Sequence, residues 1–337
     1  MVNRQSAILD LPHDRESRPG MVVGIDIGGT NTDIGLVTRG GDCLARKRLA
    51  TRDYPTAEAF ADGLARTILE LLADREIRTL AGVGVGAPNG NAFRGTIEHA
   101  PNLKWKGVIP LAKWLHRRVL CPIHLDNDAN AAAMGEMLYG GARGLRDFVM
   151  VTLGTGLGSG VVIDGKLVRG HDGFAGELGH TVVMPGGRPC GCGRRGCLET
   201  YVSVTGLIAT VIDLLDQTWA QPSRLEKSRD SLNGKLIAAA AEAGDPIAEL
   251  AFRRTGHMLA LGLANAAAIT NPEAIVLAGG LAKAEALLLE PTRAALADCL
   301  HNLYRGKLRI SVSKLQADNA GLLGAAASVW TTAPAVW

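Results

Sequence analysis

Two stretches of this chain share one plan, and that repetition limits the fold more than any other feature. Residues 21–50 (MVVGIDIGGTNTDIGLVTRGGDCLARKRLA) and 148–168 (FVMVTLGTGLGSGVVIDGKLV) each read as an apolar strand, a glycine turn with threonine, and a second strand closed by an aspartate and glycine turn. A turn that continues into a strand is not a dinucleotide fingerprint, which opens a helix, and no Gly-Lys-Ser or Gly-Lys-Thr follows to make a P-loop. The pair predicts an internal duplication in which two facing halves clamp one phosphate chain. With 337 residues, 47% of them apolar, the chain has enough material for two cores.

Periodicity between the repeats predicts an α/β protein with a parallel sheet. Residues 1–20 are polar, hold two prolines and read as a flexible tail. Pro55–Ala73 places Phe60, Leu64, Ile68 and Leu71 at helical spacing, and the run LAGVGVGAP that follows reads as a buried strand. A loop with Pro101 and Asn102, a short helix over 110–119 and a strand in CPIHLDND come next. The chain turns helical from Val204, with a loop about 221–233 and an alanine-rich helix from about Ile247 to Thr270. The strand EAIVLAGG and a last helix complete the pass, leaving WTTAPAVW as a loose end. The expected organisation is a tail over 1–20, a small lobe over 21–125 completed by helix 318–331, and a larger lobe over 126–317 with a metal segment at 180–197.

Ligands of open α/β sheets gather at the carboxyl ends of strands, where this chain keeps its polar residues. Asp26 precedes Gly28, Gly29, Thr30 and Asn31, a turn whose N–H groups can form an anion nest beside a carboxylate able to hold hydrated Mg²⁺. Gly154, Thr155, Gly156 and Gly158 repeat the arrangement. Either turn alone is as compatible with an ordinary hairpin. Asp126, Asn127 and Asp128 end a strand and precede a helix, which suits an N-cap. The same placement suits a phosphoryl-transfer site, which needs a carboxylate base and a polar neighbour to fix the hydroxyl. Gly279 and Gly280 end another strand and offer bare backbone to an adenine or ribose.

The most specific segment is GFAGELGHTVVMPGGRPCGCGRRGCLET. His180, Cys190, Cys192 and Cys197 make a closed Cys3His set for structural zinc, with Gly191, Gly193 and Gly196 permitting the turns that gather them. Redox-active thiols, or a knuckle whose Arg188, Arg194 and Arg195 touch nucleic acid, are the competing readings; the second lacks interleaved aromatics for base stacking. Glu177 and Glu199 flank the segment, and paired carboxylates suit sugar hydroxyls.

The formal net charge of +3 is spread without long like-charged runs, which offers nothing to a nucleic acid. No apolar stretch is long enough for a membrane span, and the first twenty residues lack the apolar core of a secretory signal. The expectation is a cytoplasmic protein acting on a small molecule.

In order along the chain, these motifs resemble the ROK family, the repressors, open reading frames and sugar kinases that share an actin-like ATPase (ribonuclease H-like) fold of two duplicated lobes with a ligand cleft between them. The resemblance runs from about residue 21 to residue 328 and comes nearest to bacterial ROK glucokinases, although Asn89 stands where many members have glycine. It implies Asp128 as catalytic base, and Asn102, Asn127, Asp128, Glu177, His180 and Glu199 on the sugar, with His180 shared by zinc and sugar. Asp26, Gly28, Gly29, Thr30, Asn31, Gly154, Thr155, Gly156, Gly158, Gly279 and Gly280 fall to the nucleotide and its phosphates. The implied reaction is ATP- and Mg²⁺-dependent phosphorylation of a hexose at its 6-hydroxyl, most directly glucose. N-acetylglucosamine, N-acetylmannosamine, mannose or fructose as substrate, or polyphosphate as donor, are the alternatives. A homodimer is implied as well. Some relatives are sugar-responsive repressors, but a winged helix-turn-helix needs more than the twenty residues ahead of the first strand.

Overall fold

Alternation along the first strand sets the layering around it. In the computed structural model, which describes residues 20–217, 222–316 and 319–331, β1 (Met21–Ile27) buries Val23, Ile25 and Ile27 on one face and turns Val22, Gly24 and Asp26 to the other. The tail expected over 1–20 lies, apart from Gly20, outside the described residues, as do Gln221 of the expected loop and the end from residue 332.

β1 pairs antiparallel with β2 (Asn31–Thr38), and β2 with β3 (Cys43–Ala50). Helix α1 (Ala57–Ala73), capped by the Thr56 hydroxyl, lays Phe60, Leu64 and Ile68 on the face made by Val23, Ile25 and Ile27. β4 (Val83–Ala87) then joins β1 in parallel. Three short strands, β5 (Gly90–Asn91), β6 (Thr96–Glu98) and β7 (Val108–Ile109), form a small antiparallel sheet where a plain loop is expected. Segments of two or three residues carry too little alternation to be legible. Helix α2 (Leu111–Val119), strand β8 (Ile123–Asn127) and helix α3 (Asp128–Tyr139) follow, with β8 parallel to β4. The sheet order is β3-β2-β1-β4-β8.

The second half repeats this topology. β9 (Phe148–Leu153) and β10 (Leu157–Ile163) are antiparallel, β11 (Lys166–Leu167) extends the meander, and β12 (Ala274–Ala278) and β13 (Arg309–Val312) add in parallel on the other side, giving β11-β10-β9-β12-β13. Its helices are α4 (Glu199–Val202), α5 (Val204–Leu215), α6 (Gly234–Glu242), the long α7 (Pro246–Thr270) and α8 (Ala286–Cys299). Val149, Val151, Leu153, Ile275 and Leu277 of the sheet share one core with Leu207, Val211, Leu259 and Leu263 of the helices. Helix α8 contains Pro291, which helical pattern reading treats as a break; here it packs against Gly256 of α7, where a Cβ would meet the ring at 3.0 Å.

The last helix, α9 (Ala320–Thr331), lies on the Gly24 face of the first sheet. Gly84 makes this possible, since a Cβ there would fall 1.8 Å from the Ala325 carbonyl oxygen. Among the described residues, one unit therefore comprises those up to Arg143, the loop Arg169–Ala175 and those from Leu315; the other comprises those within Gly144–Val168 and Gly176–Lys314. The division falls after α3 and not before it, as expected at residue 126, because α3 packs on α9 with Gly135 against Gly324. Among the described residues no helix is long and apolar enough to cross a membrane.

Candidate active site and metal centre

The three parallel strands of the first sheet bring two carboxylates together. Asp26 of β1 lies opposite Gly86 of β4, and Gly86 opposite Asp126 of β8, which sets the end of β8 and the start of α3 beside Asp26. A Cβ at Gly86 would lie 3.6 Å from the Cα of Asp128, so this glycine is the seat of the first turn of α3. Burial, and next the negative charge of Asp128, push the Asp26 carboxyl from 3.8 up to about 6. The Asp128 residue keeps an exposed surface, while its carboxyl is packed closely enough that desolvation raises it above the usual aspartate range, against the backbone N–H of Ala129, which bonds its Oδ1 at 2.7 Å. Two interacting carboxylates of this kind suit a base beside a cation site.

Asn127 is the N-cap of α3, accepting from the Ala129 N–H at 2.9 Å, so the capping role and the proposed sugar role fall on one side chain. Asp126, 2% exposed, is not part of the open surface. Its Oδ2 accepts from Nε and Nη2 of Arg169, both at 2.8 Å, and its Oδ1 from Asn130 Nδ2 and the Asn127 N–H, each at 2.8 Å. Arg169 had no signal in the sequence, because the pairing spans 43 residues and the arginine stands in a loop without a motif.

Both glycine turns keep free donors. In the first, Gly28 N–H bonds the Asn31 carbonyl at 3.0 Å; in the second, Gly154 N–H bonds the Gly156 carbonyl at 3.0 Å. Among the described residues nothing takes up the N–H groups of Gly29 and Thr30, or of Thr155 and Gly156. None of Gly28, Gly29, Gly154 and Gly156 has a positive φ; a Cβ at Gly28, Gly29 or Gly156 would meet a neighbouring oxygen within 3 Å, whereas Gly154 has open space at that position. Gly29 admits the loop carrying exposed Asn102, whose carbonyl oxygen would lie 2.5 Å from a Cβ there. Gly158 lies beyond the second turn, inside β10 opposite Thr152, and Asn31 opens β2. Gly279 is left-handed with φ 94° and abuts Leu153, immediately before the second turn; Gly280 follows with open space at its Cβ position. Asn89 adopts φ 51°, the conformation glycine would take, and its Nδ2 donates to the Glu98 carbonyl at 3.0 Å.

The four metal candidates converge. The ligand atoms of His180, Cys190, Cys192 and Cys197 all lie within 4.8 Å of one another, with His180 Nδ1 3.5 Å from Cys190 Sγ and Cys192 Sγ 3.6 Å from Cys197 Sγ. A tetrahedral zinc with ordinary bond lengths has edges of about 3.5 Å between N and S and about 3.8 Å between two S atoms. The donor set fits. The Arg194 backbone N–H, helped by its guanidinium, pulls the Cys192 thiol down to about 6, whereas burial pushes the Cys197 thiol up to about 12; a bound cation would favour the thiolate form of both. Gly193 and Gly196 are left-handed with φ 87° and 79°, but Gly191 is not, and it is not needed for the turn.

His180 turns its other nitrogen toward Glu177, Nε2 standing 3.9 Å from the exposed carboxylate. Arg188 is consumed internally, donating to the Thr200 and Gly206 carbonyls and to Asp213, and Arg194 donates to the His180 carbonyl, which leaves little for a nucleic acid. One oxygen of Glu199 serves the second glycine turn: Oε2 accepts the Leu157 N–H at 2.8 Å.

Comparison with known proteins matches this architecture. The chain is 36% identical to the glucokinase of Streptomyces coelicolor over 315 residues, 91% of this chain and 96% of that protein. The crystal structure of a ROK family glucokinase from Streptomyces griseus in complex with glucose and AMPPNP superposes with a TM-score of 0.75 at 36% identity, covering 91% of this chain and 98% of that one. The ROK hexokinase of Thermus thermophilus gives a TM-score of 0.75 at 31% identity, covering 91% and 97%. Residues 22–332 match the ROK family, and with these two duplicated α/β units of the actin-like ATPase fold the chain belongs to it.

Proposed function

We propose that this protein transfers the γ-phosphoryl group of ATP to the 6-hydroxyl of a hexose, with glucose as its main substrate. The observation that carries the reading is Asp128 at the start of α3, just past the carboxyl end of β8, its carboxyl raised by desolvation above the usual aspartate range, beside Asp26 at the end of β1. Relatives described as glucokinases, covered almost end to end, support glucose over other hexoses.

In this mechanism Asp128 accepts the proton of the 6-hydroxyl while the hydroxyl oxygen bonds to the γ-phosphorus and the bridging oxygen leaves with ADP. Asn127, fixed as the α3 cap, and Asn102, Glu177, His180 and Glu199 orient the sugar. The free N–H groups of Gly29, Thr30, Thr155 and Gly156 take phosphate oxygens, with Gly279 and Gly280 on the nucleoside side. Asp26 would hold the hydrated Mg²⁺ that accompanies ATP, which would neutralise charge on the phosphates. His180, Cys190, Cys192 and Cys197 would hold a structural zinc, which would supply rigidity to the segment.

The test is ADP release with a panel of hexoses and with ATP or polyphosphate as donor. Glucose with ATP should give the highest kcat/KM; a chain whose ADP release no sugar stimulates is not a hexose kinase.

A further inference from the structure

The segment that leaves the cysteine knuckle is bonded three times to the second glycine turn. Glu199 Oε2 accepts the Leu157 N–H at 2.8 Å, the Val204 N–H donates to the Gly154 carbonyl at 2.9 Å, and Thr205 Oγ1 donates to the Thr155 carbonyl at 2.9 Å. Gly156 is shaped around the first of these, since a Cβ there would lie 2.4 Å from Glu199 Oε2. The segment is itself anchored to the knuckle. Leu198 N–H bonds the Thr181 carbonyl at 2.9 Å, Thr200 Oγ1 donates to the Cys197 carbonyl at 2.7 Å, and Val182 bridges to Cys197. Buried Ser203 links Glu199 to Thr205, its N–H reaching the Glu199 carbonyl at 3.2 Å and its hydroxyl lying 2.8 Å from that of Thr205.

We infer that Glu199, with Val204 and Thr205, is a positioning residue for the nucleotide-side turn, so that affinity for the phosphates of ATP depends on it even when no sugar is bound. This rests on the reading of that turn as a phosphate site. A turn rich in glycine loses more conformational freedom than any other on being fixed. Fastening the carbonyls of Gly154 and Thr155 and the N–H of Leu157 removes that freedom in advance, with the N–H groups of Thr155 and Gly156 left for the ligand. The contribution comes from acceptor geometry and not from charge, because a carboxylate beside a phosphate repels it. Glutamine at this position keeps an acceptor for Leu157 and loses the repulsion; alanine keeps neither.

The experiment is titration of the zinc-loaded protein with MgATP without sugar, by calorimetry, with metal content and thermal unfolding measured on each variant. Glu199→Ala should weaken MgATP about fivefold or more, the equivalent of one hydrogen bond. Glu199→Gln should bind within about twofold of wild type or more tightly, although it weakens glucose. Thr205→Val, which touches no sugar in this reading, should weaken MgATP about two- to threefold and decides the matter if Glu199→Ala does not fold. Unchanged MgATP affinity in Glu199→Ala, or equal losses in the alanine and glutamine variants, overturns the inference and leaves the kinase standing. A wild-type protein that binds no MgATP overturns both.

Discussion

Arg169 and Asp126 form a two-point ion pair, Nε and Nη2 each 2.8 Å from Oδ2, one residue ahead of Asn127 and two ahead of Asp128. The pair fixes the end of β8 from behind, and Asp126 is too buried to be left alone.

Removing the cation leaves an uncompensated buried charge. Arg169→Met should destabilise the protein by about 3 kcal/mol, and Arg169→Met with Asp126→Asn should recover part of the loss in thermal unfolding. A purely structural pair would leave turnover of the folded fraction intact. Positioning of Asp128 predicts instead that Arg169→Lys, with charge kept and two-point geometry lost, lowers kcat about tenfold with little change in the KM for glucose. An unaltered kcat in Arg169→Lys would reduce the pair to a fold element.

What was legible in the sequence was local. The glycine turns, the Phe60, Leu64, Ile68 spacing of α1, the extent of α7 and the strand before Gly279 all follow from short-range periodicity and turn chemistry. The His180, Cys190, Cys192, Cys197 grouping was legible because zinc ligand chemistry is itself local. Contacts made over long separations were not. The seat of α9 depends on Gly84 and Gly324 meeting other backbones, which moves the unit boundary past α3. The β5, β6 and β7 strands were hidden by their brevity. Glu199 was legible as a carboxylate beside the knuckle, but its direction was not.

Asp26 should show a conflict between stability and function. Its carboxyl is raised to about 6 in the folded protein, from 3.8, so the folded state binds its proton more tightly than the unfolded chain. Stability therefore falls as pH rises from 3.8 to about 6, and the deficit stays constant above. Asp26→Asn, measured without Mg²⁺, should raise Tm at pH 8 by about 3 °C or more and leave it nearly unchanged at pH 4, while activity is lost. Equal Tm shifts at the two pH values would contradict a raised carboxyl.

The zinc proposal makes a stoichiometric prediction. Purified protein should carry about one zinc per chain, and Cys192→Ser should carry almost none. Because Cys192 is exposed, its oxygen replacement creates no cavity, so any drop in Tm reports the lost metal. A wild-type protein without zinc, stable in a strong chelator, would remove the ion from the account.

Asp128→Asn isolates the proton acceptor. Asparagine retains an oxygen for the Ala129 N–H, which Oδ1 of Asp128 meets at 2.7 Å, so the first turn of α3 and the Asn127 cap should survive. What disappears is the negative oxygen that receives the hydroxyl proton. General bases contribute about 10²- to 10⁴-fold, so kcat should fall about a thousandfold. The Kd for glucose should move by less than about threefold, since the substituted amide still offers hydrogen bonds to a hydroxyl. Both can be read on one preparation, turnover by ADP release and binding by calorimetry. A variant that binds glucose and retains turnover would show that the proton leaves by another route, and Asp128 would then be a sugar ligand and helix-start residue only.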